Sequence, residues 1–410
     1  MTATGQTPVP GSPTQSTATG SPMQRAATGS PAQDAATGSP AQDAATGSPA
    51  QDAATGSPAR PEAGRGHVLV ARLDSAGDVL LVGPAVRAVA ARADTVTFLA
   101  GPRGRAAAEL LPGVDRVVEF HAAWVDFTPP RSIGESVDGL LAQVRDKVPD
   151  EAIIFTSFHQ SPLPLALLLR LAGVDRISAI SVDYPGSLLD VRHRVDDDIP
   201  EPERALSLST AAGYPPVGYE LAVRPELLPE VGELTGGPGY IVVHPGAAVP
   251  ARRMSMERSR SVVAALARAG HRVVVTGGPD ERELTAAVAD SHARDLGGRT
   301  DLAGLAAILR EARVVVAPNT GPAHLAAAVG TPVVSLFAPV VPARRWAPYG
   351  VPVVLLGDQH APCAGSRART CPIPGHPCLD AIPDAAVVEA VSRVPGQQPR
   401  VPIISEGDRR

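Results

Sequence analysis

From residue 67 onward the chain alternates short apolar runs with segments whose apolar positions recur every three or four residues. Runs at 67–73, 95–99 and 116–120 predict strands, and the patterns at 78–92 and 103–111 between them predict helices. Strands are expected again at 152–155 and 176–180, with a Leu-rich helix at 163–172. Such alternation predicts repeated βαβ units around a parallel sheet. Residues 224–239 are rich in Pro and Gly and have no apolar period, so they are read as a linker. Past it the alternation resumes, with strands at 240–244, 271–276, 293–296, 313–317 and 332–337 and helices near 257–269, 280–290, 301–311 and 322–329. The expected fold is α/β, with two doubly wound domains, 66–223 and 240–395, facing across a cleft. Open parallel sheets bind ligands beyond the carboxyl ends of their strands, so the loops that follow the strands are where chemistry is sought.

The first 65 residues have a different texture. Ala-Thr-Gly-Ser-Pro recurs with period nine at Ala18, Ala27, Ala36, Ala45 and Ala54. The repeats contain no Leu, Ile, Val or aromatic residue, so stacking them would not offset an ordering cost of ~1 to 2 kcal/mol per residue. A disordered tail is expected over 1–65, and a flexible one over 396–410. Without that tail about 345 residues are left to build cores.

Charge narrows the function. With 37 basic and 42 acidic side chains the net charge is -5, which argues against a surface built for polyanions, so nucleic acid is not an expected partner. Lys147 is the single lysine, so an Arg within a motif partly reflects general composition. The N-terminus shows no basic segment followed by an apolar one, which leads to an expected cytoplasmic location. The longest stretch without Asp, Glu, Lys or Arg, 314–343, is broken by Pro318-Asn319-Thr320-Gly321-Pro322 and Gly330-Thr331-Pro332. It reads as strand, turn, helix and strand, not a membrane span. Transient association with a membrane surface is left open.

Four loops carry candidate chemistry. After the first strand comes Asp74-Ser75-Ala76-Gly77-Asp78 at the start of a helix. Asp78 there is either an N-cap carboxylate or a general base held in the cleft. The strand ending at His244 leads into Pro245-Gly246-Ala247-Ala248, with Arg252 and Arg253 close behind. Small residues let an anion approach backbone N–H groups and two cations stand ready to neutralise it, although a solvated loop with ordinary Arg usage has the same spacing. In Gly277-Gly278-Pro279-Asp280-Glu281, Glu281 either bonds a ribose hydroxyl or only stabilises a first helical turn. The segment 314–332 contains Asn319-Thr320-Gly321-Pro322-Ala323-His324 between a buried strand and a helix start. A turn of that kind points free N–H groups and the positive helix end at an anion such as a diphosphate, with His324 in the first helical turn.

Taken in order, Gly77-Asp78-Val79-Leu80-Leu81, His244-Pro245-Gly246-Ala247, Gly277-Gly278-Pro279 and Asn319-Thr320-Gly321-Pro322-Ala323-His324 through Gly330-Thr331-Pro332 resemble glycosyltransferase family 9, the ADP-heptose:lipopolysaccharide heptosyltransferase family. The likeness covers roughly 67–393. It implies a GT-B fold of two Rossmann-like domains, the first holding a hydroxyl acceptor and the second a nucleotide-diphosphate sugar such as ADP-heptose. It implies inversion at the anomeric carbon without a metal or other cofactor. In that pattern Asp78 matches the general base, Thr320, Gly321 and His324 match the donor-phosphate turn, and Arg252 matches a position usually held by Lys. The expected donor-binding set is His244, Gly246, Ala247, Arg252, Arg253, Gly277, Glu281, Asn319, Thr320, Gly321, Pro322 and His324. The family often has Asp where Asn319 stands and Trp where Met254 stands. Two other functions stay open: a nucleotide-sugar-binding protein without transfer, and a nucleotide-sugar epimerase.

All three cysteines, Cys363, Cys371 and Cys378, fall within sixteen residues and resemble a Cys-containing stretch in family members. Reduced thiols, a tetrahedral zinc site and a disulfide are the alternatives. The acidic run Asp196-Asp197-Asp198 is read as a surface turn.

Overall fold

A computed structural model of the chain describes residues 65–126, 128, 130–195 and 198–395. The tails expected over 1–65 and 396–410 lie outside those residues apart from Arg65, as do Asp196 and Asp197 of the acidic run. Arg65 belongs to the folded part, with its guanidinium 4.9 Å from the Tyr214 ring centre.

The first sheet holds β1 (His67–Arg72), β2 (Thr95–Ala100), β3 (Arg116–Glu119), β4 (Glu151–Ile154), β5 (Arg176–Ile180) and β6 (Val191–His193). The second holds β7 (Ile241–Val243), β8 (Val273–Val275), β9 (Arg294–Asp295), β10 (Val314–Pro318), β11 (Val333–Leu336) and β12 (Val353–Leu356). The strand orders are β3-β2-β1-β4-β5-β6 and β12-β11-β10-β7-β8-β9. The two windings are the same. Each sheet begins at a central strand, runs to one edge, then crosses back to fill the other side, and every pairing is parallel. Strands buried on both faces need apolar residues at nearly every position, which is why β1 is apolar from Val68 to Ala71 and β10 from Val314 to Ala317. The winding reverses between β1 and β4 and between β7 and β10, so a crevice opens beyond the carboxyl ends of those four strands.

The two halves are not joined by the linker alone. Val79 and Leu80 of helix Ala76–Leu81 and Ala107 and Leu110 of helix Arg105–Leu110 share one buried apolar cluster with Ala306 and Leu309 of helix Leu302–Glu311 and Ala323 and Ala326 of helix Gly321–Ala328. Helix Ala76–Leu81 crosses helix Gly321–Ala328 at two glycines. A Cβ on Gly77 would lie 3.2 Å from the Gly321 Cα and 3.1 Å from His324 Cδ2, so a side chain there would force the helices apart.

Several elements differ from expectation. The helix expected at 78–92 is two helices, Ala76–Leu81 and Gly83–Ala90, because Pro84 in the first turn of the second has no N–H to continue the first. Asp78 is therefore not an N-cap; Ser75 is, and Asp78 is the third helical residue. Helices Ile133–Asp146, Glu201–Ala211 and Asp384–Arg393 and strands β6 and β12 were not foreseen. The linker carries a helical turn, Gly232–Thr235.

Candidate active site

A cavity of about 680 Å³ occupies the crevice. Most of its lining comes from the loops after four strands: Asp74 to Asp78 after β1, Ser157 to Gln160 after β4, Ala247 to Val249 with Arg252 after β7, and Asn319 to Pro322 with His324 after β10. The reversal of strand order in each sheet thus builds one shared site.

On the first wall a charged cluster surrounds Arg72, which ends β1 and is only 2% exposed. Its Nε lies 2.7 Å from Asp74 Oδ2, one Nη2 donates to Asp78 Oδ1 at 3.1 Å and to Ser157 Oγ at 2.8 Å, and Nη1 stands 3.5 Å from Glu201 Oε2. Asp78 Oδ2 accepts from the Ser75 hydroxyl at 2.7 Å and from the Ser75 backbone N–H at 3.3 Å. Gln160 donates to Asp74 Oδ1 at 2.5 Å. The three carboxylates respond differently. Burial pushes all of them up, and in Asp74 and Glu201 it prevails over Arg72. In Asp78 the opposing guanidinium of Arg72, the Ser75 hydrogen bonds and His324 outweigh burial and hold the carboxyl below its ordinary range. Asp78, 23% exposed, faces the cavity as an ionised carboxylate, beside Asp74.

The opposite wall carries cations and free backbone donors. Thr320 is the N-cap of helix Gly321–Ala328 but makes no side-chain capping bond, so it does not cover the first-turn amides. Arg252, Arg367 and Arg369 line the same cavity. Nδ2 of Asn319 and Nδ1 of His324 are buried without a hydrogen-bond partner among the described residues, although both side chains border the cavity. Burial is the main cause that drives the His324 imidazole down to about 4, with Arg252 adding to it and Asp78 opposing. The ring is neutral near pH 7. Because its folded value lies below the ordinary 6.5, the stability of the neutral ring is complete above pH 6.5 and lost as pH falls through 4. His324→Asn should therefore flatten part of the acid-side loss of stability between pH 6.5 and 4 in urea titrations, and an unchanged slope would show that His324 carries a charge in the fold.

The expected donor residues separate into two groups. Ala247, Arg252, Asn319, Thr320, Gly321, Pro322 and His324 line the cavity with Asp78. His244, Gly246, Gly277, Glu281 and Arg253 are not among its lining residues. Four of these five form a separate knot beyond β7 and β8. His244 Nδ1 lies 3.1 Å from Thr276 Oγ1 and its Nε2 3.8 Å from Glu281 Oε2. Glu281 accepts from the Gly278 N–H at 2.9 Å. A Cβ on Gly246 would overlap the Glu281 carboxylate and one on Gly277 would press on Thr285, so both glycines are set by packing.

Sequence reasoning missed much of the first wall. Ser157 to Gln160 follow a strand beside the reversal and were open to the same rule that found Asp78. Glu201 had no local signal. Phe158 links the halves, with its ring 5.4 Å from Trp346 and with Arg345 and Arg367 at 4.5 and 5.2 Å. Asp198, from the acidic run, pairs with Arg344 at 2.5 Å.

Cys363 and Cys378 are buried in the apolar core of the second domain and Cys371 packs against it. All three are free thiols, so the disulfide reading does not hold. Burial, followed by its two fellow thiols, pushes Cys378 up to about 11. Among the described residues no group of three or more His, Cys, Asp or Glu side chains is placed to hold a metal ion, which leaves the zinc reading without a ligand set. No helix among them is long and apolar enough to cross a membrane.

The chain is 27% identical over 199 residues to lipopolysaccharide heptosyltransferase 3 of Escherichia coli, a match covering 46% of this chain and 55% of that protein. The chain thus spans about half the length of that curated relative. Among solved structures, a glycosyl transferase family 9 protein from Veillonella parvula superposes with a TM-score of 0.65 at 18% identity, covering 80% of this chain and 96% of that one. The E. coli ADP-heptose lps heptosyltransferase II gives 0.62 at 20% identity, covering 80% and 97%. These likenesses are of fold, the GT-B arrangement. The family model described as glycosyltransferase family 9 (heptosyltransferase) matches residues 171–376, half of the chain, and the chain belongs to that family.

Proposed function

We propose that the protein is an inverting, metal-independent glycosyltransferase that moves a sugar, heptose by the family's default, from a nucleotide-diphosphate donor to a hydroxyl of a glycan or small-molecule acceptor. One observation carries this reading: a single cavity has an ionised carboxylate, Asp78, on one wall and an uncapped helix start with Arg252 on the other. Asp78 takes the proton of the acceptor hydroxyl as that oxygen attacks C1 from the face opposite the diphosphate. The bond from C1 to the diphosphate oxygen breaks with its electron pair, and configuration at C1 inverts. Arg252 and the first-turn amides after Thr320 meet the charge that develops on the leaving group. Such fixed donors act most strongly where water is excluded. The remaining sequence-derived donor residues, His244, Gly246, Gly277, Glu281 and Arg253, are proposed to serve the nucleotide end, outside the cavity where transfer occurs. Nucleotide sugars are cytoplasmic substrates in this reading.

Thermal-shift measurements against a panel of nucleotides and nucleotide sugars test the donor side first. A ligand that binds only the folded state at 100 times its Kd adds about 2.7 kcal/mol. With a donor identified, transfer should proceed at the same rate in EDTA, while added salt weakens donor binding by screening cation–phosphate attraction. Activity lost in EDTA and restored by magnesium or manganese overturns the metal-independent reading. Donor conversion without any acceptor would replace transferase by epimerase.

A further inference from the structure

Glu201, like Asp74, is a carboxylate of the Arg72 cluster that the proposed reaction does not use. It opens helix Glu201–Ala211, is 3% exposed and does not line the cavity. Its Oε2 faces Arg72 Nη1 at 3.5 Å, and its Oε1 has no hydrogen-bond partner among the described residues. Asp74 and Asp78 already neutralise the guanidinium. A third buried carboxylate, opposed also by Arg204 of its own helix, incurs a desolvation cost that raises its pKa despite both cations.

We propose that Glu201 is a positioning residue for Asp78, acting through Arg72: it draws one arm of the guanidinium to itself and so sets how tightly Asp78 is held and how readily it takes the acceptor proton. The proposal rests on the reading of Asp78 as the base. Arg72 is the hydrogen-bonded and ion-paired connection, beside the direct repulsion between the two carboxylates. Nη2 holds Asp78 Oδ1 and Ser157, while Nη1, on the other arm of the same plane, holds Glu201. Pulling on one arm moves the other because a guanidinium is a rigid fork. The other titratable or charged groups facing Asp78 are Asp74 before its own helix, His159 from the loop after β4, His324 from helix Gly321–Ala328 and Arg252 from the loop after β7. His324 and His159 are both pushed down to about 4, in each case by burial first, so they change charge in the same acid window as Asp78, and the effect of Glu201 is read as the difference between variant and wild type at matched pH. Asp74 titrates with the pair, yet it is held by Gln160 and by the Nε of Arg72, away from the arm that Glu201 holds.

Removing the negative charge of Glu201 leaves Asp78 with a larger share of Arg72, which favours its ionised form and makes it a weaker base. Carboxyl-¹³C NMR titration, with the Asp78 signal identified by its absence in Asp78→Asn, reads this directly and needs no substrate. In Glu201→Gln the Asp78 midpoint is expected about one unit lower, which is ~1.4 kcal/mol. The acid limb of the kcat profile should move down with it and kcat should fall about three- to tenfold in line with general-base behaviour, at unchanged donor KM. If the Gln variant does not fold, Glu201→Asp keeps the charge but withdraws it from Arg72, and the midpoint should fall by about half as much. An Asp78 midpoint that stays at the wild-type value in a folded variant overturns the proposal, whether or not the wild type transfers a sugar. A shifted midpoint in a wild type without transferase activity would instead remove only the reaction.

Discussion

Asp78→Asn should lower the rate of sugar transfer about 10²- to 10⁴-fold, the usual worth of a positioned general base, while donor affinity measured by calorimetry stays within about twofold. The size follows from what Asn keeps and loses. Its side-chain oxygen still accepts from Arg72 and its amide can donate to the Ser75 hydroxyl in the same space, while the capping bond from the Ser75 N–H is lost, so the crossing at Gly77 and Gly321 is kept at a small cost to the helix start. The charge and the basic lone pair are gone. Donor binding is unaffected because the anion-binding groups sit on the opposite wall, at Arg252 and the helix start after Thr320. Turnover near the wild-type rate would remove Asp78 as the base and point to Asp74, which borders the same cavity and whose carboxyl burial pushes up. Lost donor affinity would mean instead that the two walls act as one.

How much of this was visible in the sequence depended on the range of the interaction. The strands β1, β7, β10 and β11 are mostly apolar and buried, and helices such as Gly83–Ala90 and Met256–Arg268 repeat with a clear period, so the doubly wound architecture could be read locally. Asp78 and Asn319 to His324 stood out because they follow apolar strands, and open parallel sheets bind ligands beyond the carboxyl ends of their strands. Helix Ile133–Asp146 has Ile133, Val137, Leu140, Leu141 and Val144 on one face, and Gly134 and Gly139 obscured an available signal. The short strand β6 and the helix Glu201–Ala211, opened by two prolines, gave little to read. Glu201 could not be assigned from sequence at all. It lies 129 positions from Arg72, and only the packing of its helix on the first sheet brings the two together. The same holds for the split of the donor set: His244 and Arg252 share one loop in the sequence, yet one turns inward to Thr276 and the other toward the cavity.

Arg72→Met should destabilise the fold by about 3–5 kcal/mol at pH 7, because it leaves buried carboxylates without their cation. Met fills much of the space of the Arg stem, so lost packing contributes little and the effect is electrostatic. The pH dependence separates the two causes. Without Arg72, burial and mutual repulsion raise the folded-state values of Asp74, Asp78 and Glu201 above their unfolded ones. Groups raised in this way bind protons more readily in the folded state, so their stability is complete below the unfolded value and lost as pH rises through the folded one. The deficit against wild type, measured by urea unfolding, should therefore be largest near pH 7 and shrink toward pH 4. A deficit that is constant over this window would assign the loss to packing. Combining Arg72→Met with Glu201→Gln should recover part of the stability, since one of the uncompensated charges is then absent. The wild-type protein thus keeps in its cavity wall an arrangement that a purely apolar core would not need: a buried cation whose removal is costly and which, divided among three carboxylates, helps to hold Asp78 below its ordinary range.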